Sequence, residues 1–210
     1  MEKQTITVPT APLAAIWQFT AEKDFRKYLM GVLFATQAGR LHLVATCGTA
    51  LGHYETETKT KDSMFVVDRG CIGSALKFAK KTKAKSITLV RDGDANEVLI
   101  DVFGNFFRAE IISDTFPDWR RVFPSKPSGV GAVFDHRLLA RFARAAEALG
   151  KSAEVASLSV QIALNGLGPG LVRLQDVPQF RGVILPYKSG VFTGNDATDS
   201  TGRVEQSYLD

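Results

Sequence analysis

The sequence predicts an α+β fold in which antiparallel sheets carry helices on one face, and three observations lead there. A short strand, an amphipathic helix and a three-strand meander follow one another in three successive stretches of the 210 residues. No strand-helix-strand crossover pattern breaks that order, so the strands pair antiparallel and the helices gather on one side. A hydrophobic content of 45% beside 23% charged residues allows a soluble chain with a sizeable core.

The first unit opens with Thr5-Ile6-Thr7-Val8, continues in a helix over 11–19 and closes in strands over 27–36, 40–47 and 50–58. The second has a strand over 64–67, a helix over 69–82 and strands over 85–91, 97–103 and 106–113. Asp92-Gly93-Asp94 and Gly104-Asn105 supply hairpin turns, since these residue types tolerate positive φ. Pro124-Ser125-Lys126-Pro127-Ser128-Gly129 reads as a boundary. The third unit then has a strand over 132–135, a helix over 136–149 and strands over 155–164, 171–175 and 180–187. Residues 1–124 are therefore expected as a domain of two units and 130–188 as a half-domain of one. The polar, Gly-rich stretch 189–210 is expected as a flexible tail.

Several function classes fall away. Apolar runs such as 98–100 and 182–186 are far below the roughly 18 to 20 residues that cross a bilayer, so no membrane association is expected. Met1-Glu2-Lys3-Gln4-Thr5 lacks the apolar core of a signal peptide, which points to the cytoplasm. Cys47 and Cys71 lack CxxC spacing and read as free thiols. His42, His53 and His136 match no zinc motif, and Gly166-Leu167-Gly168-Pro169-Gly170 lacks the Lys-Ser/Thr of a phosphate loop and reads as a hairpin turn. With no nucleophile elbow and no paired helical carboxylates, the expectation is no catalysis, no cofactor and no metal.

Charge is better organised than its net value of +4 suggests. Seven basic residues and no acidic one lie between Arg69 and Arg91. On that helix Lys77, Lys80 and Lys81 stand at i, i+3 and i+4, opposite Ile72, Leu76 and Ala79. On the third-unit helix Arg137, Arg141 and Arg144 form a stripe, with Leu138, Leu139, Phe142 and Ala146 expected inward. Such stripes can hold phosphates without reading sequence, and no interleaved aromatics favour single-strand stacking.

Tyr28-Leu29-Met30-Gly31, Val44-Ala45-Thr46-Cys47-Gly48 and Phe116-Pro117-Asp118-Trp119-Arg120-Arg121 occur in this order, with Val183-Ile184-Leu185-Pro186-Tyr187-Lys188 near the end. Together they resemble the bacterial sliding clamp family, the β subunit of DNA polymerase III, whose segments read YYLNG, VATDGHRLA, FPDYRR and VVMPMR. The resemblance implies the DNA clamp fold, with sheets outside and helices lining a hole for duplex DNA. It implies a processivity factor that docks a DNA polymerase or other partners through short linear peptides. The peptide cleft would be walled by Leu29, Thr46, Gly48, Leu51, Pro117, Val122, Val183, Leu185, Pro186 and Tyr187, with Arg121 at the rim. The basic residues facing DNA would be Lys77, Lys80, Lys81, Arg137, Arg141 and Arg144.

Two departures matter. The family's cleft His and Arg are Thr49 and Ala50 here, which alters the preferred peptide. Three units stand where the family chain has six, so the twelve-unit ring that the resemblance implies would need four copies, a tetrameric homo-oligomer, and a smaller, non-encircling oligomer is equally compatible. An alternative is a truncated clamp homologue that leaves DNA unringed and sequesters clamp-binding partners. A small-molecule enzyme on the same scaffold is a third reading, and Gln206-Ser207-Tyr208-Leu209 loosely resembles a peptide that could dock in the chain's own cleft.

Overall fold

Strands β1 (Lys3–Pro9), β2 (Gly31–Gln37), β3 (Arg40–Thr46) and β4 (Ala50–Glu57) follow one another with helix α1 (Thr10–Trp17) after the first. The second unit repeats the plan as β5 (Ser63–Asp68), α2 (Arg69–Thr82), β6 (Ser86–Asp92), β7 (Glu97–Val102) and β8 (Asn105–Ile112). The third consists of α3 (His136–Ala153), β9 (Val160–Ala163), β10 (Gly170–Leu174) and β11 (Phe180–Ile184). The computed structural model describes residues 3–93, 95–113, 115–153 and 159–187. Asp94 of the expected turn, the first residues of the expected strand over 155–164, Lys188, the tail over 189–210 and its Gln206–Leu209 peptide lie outside the described residues.

All pairings are antiparallel, in the order β1-β6-β7-β8-β5-β2-β3-β4-β11-β10-β9. Each of the first two units lends its first strand to the other's side: β1 pairs with β6, and β5 pairs with β2. The third unit joins through β11 against β4. The expected strand over 132–135 does not form. The first strands of the other units rest on a partner meander, and among the described residues no strand stands there for this one. Single backbone bonds replace a ladder, from Gly166 N–H to the Val130 carbonyl and from Tyr187 N–H to the Val133 carbonyl. The β7-β8 turn is centred on Phe103 and Gly104, both at positive φ, one residue before the expected pair.

Alternation along the strands assigns the two sheet faces. Val32 and Phe34 join the helix-side core while Leu33 and Ala35 belong to a second cluster on the opposite face, so both faces of β2 are covered and its side chains read as one apolar run. Helix α2 buries Ile72, Ala75 and Ala79 and is capped by Asp68, whose carboxylate accepts from the Gly70 and Cys71 amides at 2.7 and 3.1 Å. In α3, Phe142, Ala145, Ala146 and Leu149 face the core; Leu139 is turned outward, contrary to expectation.

The junction of the first and third units is aromatic. Phe19 lies edge-on to Phe142 with centroids 4.8 Å apart, and Phe180 sits 6.1 Å from Phe19. These rings rest on bare backbone: Gly52 and Gly182 are direct cross-strand partners, and a Cβ on either would come within 2.3 or 2.4 Å of Phe19 or Phe142. Gly is thus required there for close approach. Among the described residues no helix is long and apolar enough to cross a membrane.

Candidate functional site

On the sheet face away from the helices, the β4-β11 ladder joins residues far apart in sequence. Leu51 pairs with Val183 on this face, the Ala50-Ile184 pair next to it turns to the helix side, and the Leu185 amide donates to the Thr49 carbonyl at 2.8 Å. The β3-β4 turn is held by the Thr46 hydroxyl, which donates to the Ala50 carbonyl at 2.9 Å and accepts from the Gly48 amide at 3.1 Å. Gly48 has φ +90°, a left-handed conformation that suits glycine. Its Cα faces Leu29 and Arg26: a Cβ there would stand 3.8 Å from Leu29 Cδ1 and 3.2 Å from Arg26 Nη2.

The segment around Phe116 closes this face. Phe116 and Trp119 are buried in the same cluster as Leu51 and Val183, with Tyr28 5.8 Å from Phe116. They anchor a 3-10 turn over Trp119–Val122, started by the Asp118 carboxylate accepting from the Arg120 amide at 3.3 Å. The expected wall residues therefore split into two sets. Leu29, Leu51 and Val183 are buried and form a floor. Gly48, Pro117, Arg121, Val122, Leu185 and Tyr187 are exposed, with Thr46 and Pro186 half-buried. Val122, Leu185 and Tyr187 keep 41%, 37% and 57% of their surface open to solvent, which leaves an apolar patch above that floor.

No family model matches the chain. The β sliding clamp of Escherichia coli (strain K12) is 28% identical over 156 residues, which is 67% of this chain and 39% of that protein. That of Proteus mirabilis is 29% identical over 147 residues, again 67% and 39%. The chain thus spans about two-fifths of the length of these curated relatives. Among solved structures, the DNA polymerase sliding clamp of Pseudomonas aeruginosa superposes with a TM-score of 0.68 at 14% identity, covering 88% of this chain and 66% of that one. The DNA polymerase III β subunit of Thermotoga maritima gives 0.67 at 14%, covering 89% and 66%. The chain is a clamp-like homologue. The low identity of the solved structures speaks for the fold, and the curated relatives carry the relation in sequence.

The clamp homologue holds two features its sequence did not announce. Arg26 reaches Gly48 because Asp24 grips its guanidinium through two bonds of 3.0 and 3.1 Å. Arg26 holds the Asp24 carboxyl below the usual carboxylate range. A cation thus stands beside the turn where Thr49 and Ala50 replace the family's His and Arg. The signal was the Asp-x-Arg spacing, which permits a local fork.

The second is a histidine pair. His42 and His53 lie on adjacent strands with rings 5.3 Å apart, and His42 Nδ1 is 3.1 Å from His53 Nε2. Arg181 Nε donates to His53 Nδ1 at 3.0 Å, so that nitrogen carries a lone pair, Nε2 carries the proton, and His42 Nδ1 accepts it. Trp119 stacks on His53 at 4.4 Å. Burial, with Arg181 next, pushes His53 down to about 3; burial also lowers His42. Glu55 completes three potential ligands whose donor atoms lie within 4.8 Å of one another. A cation there would need His53 Nε2 stripped of its proton, which would turn an N–H at Nδ1 against Arg181. Arg120, Arg181 and Arg40 disfavour positive charge on His42 while Glu55 opposes them, and the two histidines fit an Arg181-His53-His42 hydrogen-bond relay better than a metal.

On the helix side the two basic stripes differ. Lys77, Lys80 and Lys81 are exposed, and no described acid pairs with them. Arg141 donates to the carbonyls of Gln18 and Thr20, the latter at 3.0 Å, and Arg144 Nε donates to the Gln18 side chain at 3.1 Å. Arg137 is forked onto Asp135, at 2.6 Å for its shortest contact, and holds the Asp135 carboxyl down at about 2. The α3 arginines are thus engaged within the protein.

Proposed function

We propose that this chain is a non-catalytic, clamp-like platform in DNA replication. The patch of Leu29, Thr46, Gly48, Leu51, Pro117, Arg121, Val122, Val183, Leu185, Pro186 and Tyr187 docks short linear peptides of a DNA polymerase or other clamp-binding proteins. Lys77, Lys80 and Lys81 of α2 and Arg137, Arg141 and Arg144 of α3 face duplex DNA without reading sequence. The observation that carries this reading is the β4-β11 ladder, which joins Leu51 to Val183 and Leu185 to Thr49 in one surface next to the Phe116-Trp119 anchor. Residues 1–124 act as the two-unit domain and 130–188 as the half-domain that completes the cleft, in a cytoplasmic protein without cofactor or metal. Edge strand β9 has a single strand neighbour among the described residues, as pairing between copies in a closed homo-oligomer such as a tetrameric ring requires.

A labelled Gln-Leu-x-Leu-Phe peptide titrated against the chain tests the cleft. Leu185→Asp, at a half-exposed site, is expected to weaken binding at least about tenfold, a loss of about 1.4 kcal/mol. Equal binding by both proteins removes the cleft assignment. One observation favours the second reading, a homologue that sequesters clamp-binding partners without ringing DNA: Arg141 and Arg144 are occupied by the end of α1. Solution mass separates the two, since that reading expects a monomer or dimer.

A further inference from the structure

Next to the Leu51-Val183 rung, on the same sheet face, the ladder holds a different chemistry. Arg173 of β10 is the direct cross-strand partner of Arg181 of β11, and Arg181 is the direct partner of His53 of β4. Three strands therefore present Arg, Arg and a neutral His side by side. Like charges placed directly opposite on an antiparallel pair repel. Arg181 is half-buried, and its guanidinium is held below its usual range by burial and then by Arg173.

These residues line a cavity of about 310 Å³ together with Arg40 and Glu55. Arg40 has Glu55 at 3.4 Å. Arg181 spends its Nε proton on His53, and among the described residues no hydrogen bond or acidic partner engages Arg173. Three guanidiniums share one carboxylate, so the cavity holds two positive charges without a counter-ion from the described residues. His53 adds none, because the Arg181 bond fixes it as an acceptor. The planar fork of arginine matches a carboxylate or a phosphate, and the site is concave with convergent donors.

From this placement we infer that Arg40, Arg173 and Arg181 form an oxyanion pocket that receives the carboxylate of an acidic side chain in the segment docked on the apolar patch. The inference rests on the peptide-docking reading and adds to it a rule for partner choice. Continuity selects this occupant. The apolar rung Leu51-Val183 and the charged rung His53-Arg181 are two residues apart on the same strands, roughly 7 Å. Trp119 stacks on His53, and Phe123 lies 4.5 Å from the Arg181 guanidinium, so both rings stand between patch and pocket. An extended segment would pass over them and bring a side chain to the pocket about two or three residues beyond its apolar anchor. The Thr49 and Ala50 substitutions remove polar groups at one end of the patch, and the arginine rung supplies them at the other.

Two labelled peptides with the same Gln-Leu-x-Leu-Phe anchor, one flanked on both sides by glutamates and one by glutamines, test this by anisotropy. The acidic peptide is expected to bind about five- to tenfold tighter at low salt, the contribution of one or two half-exposed charge pairs. Arg173→Ala, at an exposed site, should abolish that difference and leave the glutamine peptide unchanged. Equal affinities of the two peptides for the unaltered protein, or a difference that survives Arg173→Ala, overturn the inference while leaving the cleft in place. Failure of both peptides to bind removes the cleft reading and this occupant with it. Citrate, followed through arginine Nε–H resonances, separates the sources: saturable shifts at Arg181 without any preference between the peptides would mean a pocket for free anions, against the inference.

Discussion

Replacing Gly52 by Ala sets two opposite expectations against each other. In a strand, exchanging Gly for Ala ordinarily stabilises by about 0.4 to 1 kcal/mol, because the unfolded chain loses freedom. Here the added Cβ would stand 2.3 Å from Cδ2, 2.5 Å from Cε2 and 3.0 Å from Cγ of Phe19, inside van der Waals contact with three ring atoms. Phe19 is fully buried between Phe142 and Phe180 and cannot step aside without displacing them. Overpacking of this kind costs about 1 to 3 kcal/mol, so Gly52→Ala is expected to destabilise in spite of the entropic gain. Phe19→Leu alone should also destabilise, through the lost ring volume, by about 1 to 2 kcal/mol. The three atoms nearest the new Cβ belong to Phe19, so the double variant should be less destabilised than the two singles added together, by about 1 kcal/mol or more. Urea unfolding of the four proteins closes the cycle. Additive effects, or a neutral Gly52→Ala, would refute the claim that Phe19, the ring the first unit presents to the third, is laid on the bare backbone of Gly52.

Two further outcomes follow from the site. Lys77→Ala/Lys80→Ala/Lys81→Ala should weaken duplex DNA binding by about tenfold or more at low salt and flatten its salt dependence while sparing peptide binding; an unchanged slope removes α2 from the DNA face. The depressed His53 gives a signed pH dependence. The unfolded chain binds a proton at the ordinary histidine value of 6.5 and the folded one only at about 3, so stability falls as pH is lowered through that window. His53→Gln, which can still accept from Arg181, should shrink the loss in urea midpoint between about pH 7 and pH 4; an undiminished loss would mean that carboxylates alone carry it.

Much of the fold could be read from periodicity because most elements are locally specified. Helix α2 runs over the expected residues since Asp68 caps its start and Lys83, at φ +56°, ends it. The missing strand over 132–135 shows where local pattern fails: its apolar residues suit a strand, but strand formation needs a neighbour, and no local signal reports one. Leu139 misled because the inward stripe of α3 is narrower than its apolar content. In the candidate site, the fragments Leu29, Thr46-Gly48 and Val183-Leu185 were legible as motifs. The His42-His53 pair and the Arg173-Arg181-His53 rung were not, since each exists only through strand register.

The two basic helices make the same point about charge. In sequence, Lys77, Lys80 and Lys81 and Arg137, Arg141 and Arg144 are equivalent stripes, because spacing locates a face of a helix and leaves open which oxygens that face meets. Phosphate oxygens and the carbonyls after a helix C-terminus are both acceptors that an arginine fork satisfies. In α3 the second kind lies within reach: α1 ends at Trp17, and the Gln18 and Thr20 carbonyls that follow point at Arg141. For Arg141 to hold DNA it would have to abandon bonds that fasten the third unit to the first. Lysines on α2 face no such choice, as their helix packs with its apolar side on β7 and β8 and leaves the ammonium groups in solvent. Any salt-sensitive affinity for duplex DNA should therefore track the α2 lysines first, and Arg141→Ala should act mainly through stability.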